Sequence, residues 1–500
     1  MTGLTATGAS GALTPPSRFI RIDGATGGDP DVRAGGLLGI SVAKAGDVNG
    51  DRRADVVIGA PEEDNNGRTD SGSAYVVFGQ PGPMTIDLAN LGDRGFRIDG
   101  AEAGDFAGRS VSGGRDVNGD RIPDVVVGAP GVFSASEEGE RKPRGKAYVV
   151  FGRSTTTTVD LSRLGGAGFQ ITGRHFRFPD AFGLAVCVAG DVDHDRLADL
   201  VVAAPGNPGF EEQFTLPAVY VIFGKRSTSE VRVARFGRRG FRVVGLSGID
   251  APVAGAGDVN NDGRADLIIG SPAARSRGQV RGAAYVIFGH RYRRTINVTR
   301  PSRWGYRILG AQRLDAAGTS VAGIGDVNHD LRDDLIVGAP AADPHPGAAY
   351  VVFGKRSFRP IGLATRGGPR SRRLGSHGYK ITGEPNSFTG LSVAGLEDVN
   401  GDRPPDVALT SQGSVYVVFG KRSRSELKLA ALGDAGFELN GTAFEPVTGP
   451  GIVPGPGGFF TVAGPGDMNG DGEGEVLIGA PDASHNGRFR SGSAYVFFTH

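Results

Sequence analysis

The sequence predicts an all-β fold, a seven-bladed β-propeller of four-stranded antiparallel blades. Three observations predict it: one motif recurs about every 70 residues, each repeat contains four short apolar segments, and a segment missing from the last repeat stands near the N-terminus. The chain of 500 residues contains 84 glycines and is 39% hydrophobic, a composition typical of many short strands and turns.

The recurring motif first occurs as GDVNGDRRADVVIGAP at residues 46–61. Related stretches begin at six later positions, which are Arg115, Gly190, Gly257, Gly325, Glu397 and Gly466. Self-similarity at a fixed period indicates an array of one supersecondary unit that cannot bury its apolar faces alone.

Each repeat predicts four strands separated by turn residues. In the first complete repeat the apolar segments are GISVAKAGDV, DVVIGAP, SAYVVFG and GFRIDGA. The second and third are nearly continuous in apolar residues, which favours strands covered on both faces. Such small sheets must stack, and a ring leaves no end sheet uncovered, so seven repeats predict a propeller. A superhelical β-solenoid is the alternative, but its rungs are much shorter than these repeats.

The two ends of the chain predict how the ring closes. The last repeat ends with SAYVFF and lacks the GFxIxG segment of the other repeats, whereas FIRIDG at Phe19–Gly24 precedes the first loop. We predict that this N-terminal strand completes the last blade, which offsets the entropy of holding the ends together. The predicted propeller spans residues 17–500, and residues 1–16 are expected to form a disordered segment before it.

Each motif contains a loop that crowds acidic and amide side chains at positions 1, 3, 5 and 9, counted from its first aspartate. Oxygen ligands at alternate positions of a tight loop converge on one point, and Ca²⁺ takes about six to eight oxygens, including a backbone carbonyl from position 7. We therefore predict up to seven calcium ions. The predicted ligands at positions 1, 3, 5, 7 and 9 are Asp47, Asn49, Asp51, Arg53 and Asp55; Asp116, Asn118, Asp120, Ile122 and Asp124; Asp191, Asp193, Asp195, Leu197 and Asp199; Asp258, Asn260, Asp262, Arg264 and Asp266; Asp326, Asn328, Asp330, Arg332 and Asp334; Asp398, Asn400, Asp402, Pro404 and Asp406; and Asp467, Asn469, Asp471, Glu473 and Glu475.

Position 4 of the loop supports this prediction independently. Its residues are all of types enriched at positive φ, which a loop winding around an ion requires; they are Gly50, Gly119, His194, Asn261, His329, Gly401 and Gly470. Mg²⁺ fits less well because it prefers a strict octahedron with waters, and the ligand positions lack the His and Cys that favour zinc. The alternative is a set of metal-free Asx turns.

The acidic loop, DVVIGAP and AYVVFG together resemble the FG-GAP repeat of the integrin α-subunit propeller and its bacterial relatives. The resemblance covers about residues 17–500 and implies a seven-bladed propeller whose acidic loops bind Ca²⁺. The Phe-Gly half of the motif is poorly kept, since only Phe182 and Gly183 stand in that form before a first strand. In the sixth repeat, Thr410 and Ser411 stand where the GAP sequence is expected.

Calcium binding predicts an extracellular or cell-surface location. Extracellular modules bind Ca²⁺ with Kd of about 10⁻⁴ to 10⁻³ M, so such sites would be largely empty in the cytosol. Seven sites at ten times their Kd would add on the order of 10 kcal/mol to the stability. No signal peptide is visible, and no segment approaches the roughly 18 apolar residues of a membrane span. The single cysteine, Cys187, excludes an intramolecular disulfide and is expected to fill the core.

The longest loops predict where a partner binds. In a propeller, the turns between strands 2 and 3 and those between blades lie opposite the turns between strands 1 and 2. The loops at 62–72, 131–145 and 482–492 and the interblade insert at 442–458 therefore lie opposite the acidic loops, and we expect them to bind a protein or glycan. The Arg-rich segment 359–375 lies on the acidic-loop face, as a solvated loop or a basic site for anionic glycans.

Two functions follow from these features. The first is a non-enzymatic, monomeric propeller for adhesion or recognition, and the second is a polysaccharide lyase or hydrolase built on a propeller. The sequence lacks a zinc helix, a nucleophile elbow and a phosphate loop, and its eight histidines are scattered. It also lacks the D-x-S-x-S motif of an inserted integrin domain. The net charge of +1 provides no global field for nucleic acid or a membrane surface. We favour the first function.

Overall fold

The computed structural model shows seven β-sheets arranged as the blades of a propeller. It describes residues 19–28, 35–131, 145–174, 180–206, 217–235, 237–248, 251–276, 278–292, 294–300, 303–341, 346–364, 373–411, 413–440 and 460–499. The predicted segment 1–16, the insert 442–458 and most of the loop 131–145 lie outside these residues, as do residues 365–372 of the Arg-rich segment.

The first strand of each blade lies nearest the axis and contacts the first strands of the neighbouring blades. Small residues permit this close approach: a Cβ on Gly323 would lie 2.5 Å from the carbonyl oxygen of Gly255 in the preceding blade. The seven strands are β2 (Ser41–Gly46), β7 (Ser110–Arg115), β12 (Ala185–Gly190), β17 (Val253–Gly257), β24 (Ser320–Gly325), β29 (Val393–Gly395) and β34 (Thr461–Ala463).

The second strands are buried at every residue, as their continuous apolar sequences predict. They pair antiparallel with the first strands. They are β3 (Asp55–Ala60), β8 (Asp124–Ala129), β13 (Asp199–Ala204), β18 (Asp266–Ser271), β25 (Asp334–Ala339), β30 (Val407–Ser411) and β35 (Val476–Ala480).

The third strands continue the antiparallel order, and each carries a tyrosine at its centre. They are β4 (Ser73–Val77), β9 (Lys146–Val150), β14 (Ala218–Ile222), β21 (Ala283–Ile287), β26 (Ala348–Val352), β31 (Ser414–Val418) and β36 (Ser493–Phe497).

The fourth strands form the outer part of each blade, and one of them closes the ring. They are β1 (Phe19–Asp23), β6 (Gly95–Asp99), β11 (Gly168–Thr172), β16 (Gly240–Val244), β23 (Gly305–Leu309), β28 (Gly378–Thr382) and β33 (Gly436–Asn440). Strand β1 pairs antiparallel with β36, with Ile22 opposite Ala494. The predicted closure by the N-terminal strand is confirmed.

The prediction of four antiparallel strands per blade is incomplete, because six sheets carry a short fifth strand. Each fifth strand comes from the connection between strands 3 and 4 of the next blade and pairs in parallel with the outer strand. The pattern was missed because these segments contain only two to four residues. They are β5 (Met84–Asp87), β10 (Val159–Asp160), β15 (Val231–Arg232), β22 (Ile296–Asn297), β27 (Ile361–Gly362) and β32 (Leu427–Lys428).

The remaining elements are short. A separate hairpin joins β19 (Arg275–Ser276) to β20 (Gln279–Val280). The 3₁₀ helices among the described residues are Leu88–Asn90, Leu161–Arg163, Gly165–Ala167, Val233–Arg235, Gly375–His377, Leu429–Ala431 and Gly433–Ala435. In the described part of the chain, no helix has the length and apolar character that crossing a membrane requires.

The hydrophobic core lies between blades rather than within one. One cluster, for example, joins Val57 and Val76 of blade 1 to Val125 and Val127 of blade 2. Each buried valine of this kind contributes about 1.5–3 kcal/mol relative to an exposed one. Every sheet therefore depends on its neighbours, which makes the ring the unit of stability.

Candidate metal centres

The acidic loops all connect the first and second strands of their blades, so they share one face of the propeller. Strand β2 ends at Gly46 and β3 begins at Asp55, which makes residues 47–54 the first loop. The structure brings the predicted residues of each loop together within a single tight turn. Calcium ligation by these residues stays a prediction.

The aspartate at position 1 organises the loop through backbone donors. In blade 1, Oδ1 of Asp47 accepts the N–H groups of Gly50 at 2.7 Å and Asp51 at 2.9 Å, and Oδ2 accepts the N–H of Arg52 at 2.9 Å. The bond from position 6 to position 1 recurs in all seven loops. The Asx-turn geometry is therefore present, and it is compatible with an ion because Oδ2 of Asp47 accepts only one N–H and keeps a further lone pair.

Backbone conformation confirms the prediction for position 4, where φ is positive in every loop, from 55° at Asn261 to 86° at Gly470. Position 6 has positive φ as well, which the sequence did not reveal because arginine occupies it in four loops. These residues are Arg52, Arg121, Arg196, Gly263, Leu331, Arg403 and Gly472.

The carboxylate at position 9 is buried and ties the loop to the third strand. Asp55 Oδ2 accepts the N–H of Val48, and Oδ1 accepts the N–H of Gly79, both at 2.8 Å. Gly79 follows Phe78 directly after β4, and a Cβ there would lie 2.6 Å from Cβ of Arg53. The Phe78-Gly79 dipeptide after the third strand therefore ends in glycine, because a side chain there would collide with Arg53 when the backbone reaches the position-9 carboxylate.

Burial raises the pKa of every position-9 carboxyl. The pKa rises to about 7 for Asp55, Asp124 and Asp406, and to about 8 for Asp199, Asp266, Asp334 and Glu475. Desolvation is the largest cause, and the nearby acidic residues of the same loop add to it. A bound cation would offset both effects.

Two loops bring three carboxylates close enough to share one ion. Oxygens of Asp191, Asp193 and Asp195 lie within 4.8 Å of one another, as do those of Asp467, Asp471 and Glu475. No other acidic loop, all of which are described, does the same with carboxylates alone. Position 3 is asparagine in the other five loops and also in the last loop, where Glu475 at position 9 supplies the third carboxylate. In blade 1, for example, Nδ2 of Asn49 donates to Asp51 at 3.1 Å.

Asp193 provides the direct test of fit to a cation. The residue is only 6% exposed, and its Oδ1 meets no hydrogen-bond donor among the described residues. Its Oδ2 lies 2.9 Å from Nε of Arg291. A buried, acceptor-only group with an unsatisfied oxygen, beside two further carboxylates, suits a hard cation with oxygen ligands.

Basic residues from the next blade reach these loops, and they were not predicted from the sequence. Arg226 donates to the carbonyl oxygen of Gly119 at 3.1 Å, and Arg356 donates to those of Asn260 at 2.8 Å and Asn261 at 2.9 Å. Arg226, Arg291 and Arg356 each stand two residues after the Phe-Gly dipeptide, so the repeated GKR and GHR sequences were the available signal.

On the opposite face, the two described long loops are compact hairpins. Asn66 and Gly67 form one tip and Asn486 and Gly487 the other, all four with positive φ, as in a type I′ turn. Arg68 of the first loop lies 3.1 Å from Asp160, which belongs to β10. The loops thus present a preformed rather than an irregular surface.

Comparison with known proteins identifies the repeat. The model of the FG-GAP repeat matches residues 38–77, 107–150, 182–216, 252–287, 317–352 and 459–497. The chain is an FG-GAP repeat propeller. The six matched segments belong to blades 1 to 5 and 7 and contain six of the seven acidic loops. Blade 6, where Thr410 and Ser411 replace the usual GAP sequence, lies between the fifth and sixth segments.

Relatives of this FG-GAP propeller include proteins of two kinds. The mouse phosphatidylinositol-glycan-specific phospholipase D is 28% identical over 339 residues, which are 62% of this chain and 36% of the relative. Integrin α-4 of Xenopus laevis is 26% identical over 246 residues, 48% of this chain and 20% of the relative. Integrin α pat-2 of Caenorhabditis elegans is 30% identical over 228 residues, 44% of this chain and 17% of the relative. The match thus spans about a third or less of these relatives.

Proposed function

We propose that the protein is a calcium-stabilised extracellular propeller for adhesion or recognition. It would bind a protein or glycan through the loops between strands 2 and 3 and between blades. The observation that carries the proposal is the acidic loop of blade 3, where a buried carboxylate at Asp193 faces Asp191 and Asp195. Similarity to integrin α subunits supports a binding role.

The calcium part of the proposal rests on charge and donor chemistry. Bound Ca²⁺ would offset the charge of the clustered carboxylates in each loop, including the buried carboxylate at position 9. Carboxylate or amide oxygens at positions 1, 3, 5 and 9 and the carbonyl of position 7 would hold it, for example Asp467, Asn469, Asp471, Glu473 and Glu475. The chain's own residues preorganise the loop through the Asx turn at position 1 and positive φ at positions 4 and 6.

The extracellular part of the proposal follows from the Ca²⁺ affinity that is typical of extracellular modules. Sites with Kd of about 10⁻⁴ to 10⁻³ M are filled outside cells and nearly empty in the cytosol. Similarity to integrin α subunits is consistent with this location. We also propose that the propeller is attached to other domains, because the chain matches only part of each relative.

The recognition surface comprises the hairpins at 62–72 and 482–492. Hydrogen bonds hold both at their bases, with Tyr75 donating to Glu63 at 2.7 Å and Tyr495 lying 3.2 Å from His485. Rigid hairpins with exposed tips lose little conformational entropy when a partner binds, which favours affinity.

Glycan and protein arrays probed with the purified chain test the recognition role, each in millimolar Ca²⁺ and in chelator. We expect binding in Ca²⁺ that Thr69→Glu on the hairpin face removes and that Ser154→Glu, an exposed residue in the turn between strands 3 and 4, leaves intact. Binding lost in S154E but kept in T69E would place recognition on the acidic-loop face instead.

Turnover assays on anionic polysaccharides test the enzymatic alternative, a lyase or hydrolase. Release of unsaturated or reducing ends that T69E abolishes would replace the adhesion proposal. No release at protein concentrations that saturate the array signal would support it.

A further inference from the structure

Blade 6 is the sheet whose outer strand carries no fifth strand within the described residues. In the other blades that strand comes from the connection between strands 3 and 4 of the next blade. For blade 6 the next blade is blade 7, whose fourth strand is the N-terminal β1. Strands 3 and 4 of blade 7 are therefore not joined by a short connection that could cover β33.

Among the described residues, the outer strand of blade 6 is less buried than its equivalents, although Leu439 remains buried. The second residue of the outer strand is aromatic in six blades, and in five of them its exposed fraction is 2% or less. Those five are Phe96, Phe169, Phe241, Tyr306 and Tyr379. The sixth is Phe437, which is only partly buried, and the next residue, Glu438, is exposed. Phe437 contacts Phe419, also partly buried, with 6.1 Å between ring centroids.

The covered blades show what this edge can accept. On blade 1, Val159 of β10 pairs with Ile98, Leu161 packs in the same cluster, and Arg153 lies over the ring of Phe96 at 5.2 Å. Lysines cap three further rings in the same manner, which are those of Phe169, Tyr306 and Tyr379. The common occupant is a parallel strand with apolar residues two apart, preceded by a basic residue.

Charge distinguishes blade 6 from the others. The third residue of the outer strand is arginine, lysine or glutamine in the other blades, and in blade 6 it is Glu438. On blade 5 the equivalent Lys380 has its Nζ 3.9 Å from Glu426 of the incoming segment. Glu438 is exposed and accepts a hydrogen bond from Ser414 at 2.7 Å, and its charge favours lysine or arginine at the position that Glu426 occupies.

We propose that the outer edge of blade 6, β33 with Phe437 and Glu438, binds an extended basic and apolar segment of a partner protein as a parallel fifth strand. This surface is separate from the hairpin face of the proposed function. Main-chain hydrogen bonds to a sheet edge supply affinity, and the alternating side chains supply specificity.

Sequence argues against two other occupants. Residues 1–17 contain no charged side chain. In the second repeat the apolar Val159 of the fifth strand β10 lies ten residues before Phe169 of the outer strand β11. Ten residues before Ile20, the equivalent residue of β1, the chain has Ser10, which is not apolar. A second copy paired edge to edge would place the two Glu438 carboxylates near each other, which is unfavourable. A heterologous basic segment satisfies both the charge and the apolar pattern.

Two labelled peptides test the proposal against the full chain. One has the sequence of residues 421–433, which contains Lys421, Leu427 and Leu429, and the other is the same peptide with Glu426→Lys. We expect the lysine peptide to bind the wild-type chain with Kd of about 10–100 µM and the glutamate peptide to bind about tenfold more weakly. Glu438→Lys should reverse that preference. Lys380→Glu, on the covered edge of blade 5, should leave both affinities unchanged.

The reversal keeps the test independent of folding, because E438K must itself bind the glutamate peptide. Failure of both peptides to bind the wild-type chain, or an unchanged preference in E438K, overturns the proposal. Binding that occurs only after residues 1–17 are deleted would assign the edge to the chain's own N-terminus and overturn it too. Concentration-dependent dimers in light scattering that E438K abolishes would assign the edge to a second copy of the chain, which also overturns the proposal.

Discussion

The backbone N–H of Ala54 donates to the backbone carbonyl oxygen of Asp467 at 2.7 Å. Ala54 is position 8 of the first acidic loop and Asp467 is position 1 of the last, so this bond joins the two ends of the ring. The same bond links four other pairs of neighbouring loops. In the two remaining loops position 8 is proline, Pro123 or Pro405, which has no N–H to donate.

Proline at position 8 of another loop should remove one of these hydrogen bonds and still fit the backbone conformation, since Pro123 and Pro405 occupy this position in two loops. Ala265 donates to Asp191 at 2.9 Å, so Ala265→Pro should lower the free energy of unfolding by about 1–2 kcal/mol. Ala265→Ser keeps the N–H and serves as the control. Urea unfolding measures the difference, and equal stability of the two variants would mean that the link contributes nothing.

Substitution at position 4 tests the left-handed backbone of the loop. His329 has φ 59° and Asn261 has φ 55°. His329→Val should destabilise the protein by about 1–2 kcal/mol because a β-branched residue is strained there, while His329→Gly should be neutral or stabilising. Thermal unfolding of both variants gives the comparison. Equal melting temperatures for the valine and glycine variants would contradict the assigned conformation.

Asp315 predicts a pH dependence that is separate from the acidic loops. Its side chain accepts the N–H of Gln312 at 2.9 Å, and burial raises its pKa to about 6. Because the folded pKa exceeds the unfolded value of about 3.9, the stabilising contribution is complete below about pH 4 and is lost as pH rises through about 6. Relative to the Asp315→Asn variant, the free energy of unfolding of the wild-type chain should fall by about 3 kcal/mol between about pH 4 and pH 7. Parallel pH profiles for the two proteins would refute this.

Cys187 should act as a hydrogen-bond acceptor between blades. Its Sγ accepts the N–H of Gly255 at 3.1 Å, from the first strand of the next blade. Ser41 and Ser110 accept N–H groups of the next blade in the same way, at 2.9 and 3.0 Å. Cys187→Ala should therefore cost about 1 kcal/mol more than Cys187→Ser, as measured by urea unfolding. An alanine variant as stable as the serine variant would show that Cys187 only fills space in the core and that its hydrogen bond contributes nothing to stability.

The sequence was sufficient to predict the ring of blades because the patterns that indicate it are local and occur in every repeat. Seven continuous apolar strands beside seven acidic loops predict the blades, and FIRIDG at Phe19–Gly24 predicts the closure. Blade 6 resembles the repeat least in sequence, yet it forms a sheet because Val407 and Leu409 still supply buried apolar side chains.

Contacts between blades could not be predicted from the sequence. The fifth strands are too short to show a period, and their pairing depends on the position of the next blade. Positive φ at Arg52 was hidden because arginine has no preference for it. The bridge from Arg291 to Asp193 joins residues far apart in the chain, and only the ring brings them together.

Calcium-dependent thermal unfolding tests the central claim most directly. The melting temperature is measured in EGTA, in millimolar Ca²⁺ and in the same concentration of Mg²⁺. We predict a rise of about 10 °C in Ca²⁺ relative to EGTA, if several sites are filled, and a smaller rise in Mg²⁺. Identical melting curves in EGTA and Ca²⁺ would contradict calcium binding by the acidic loops.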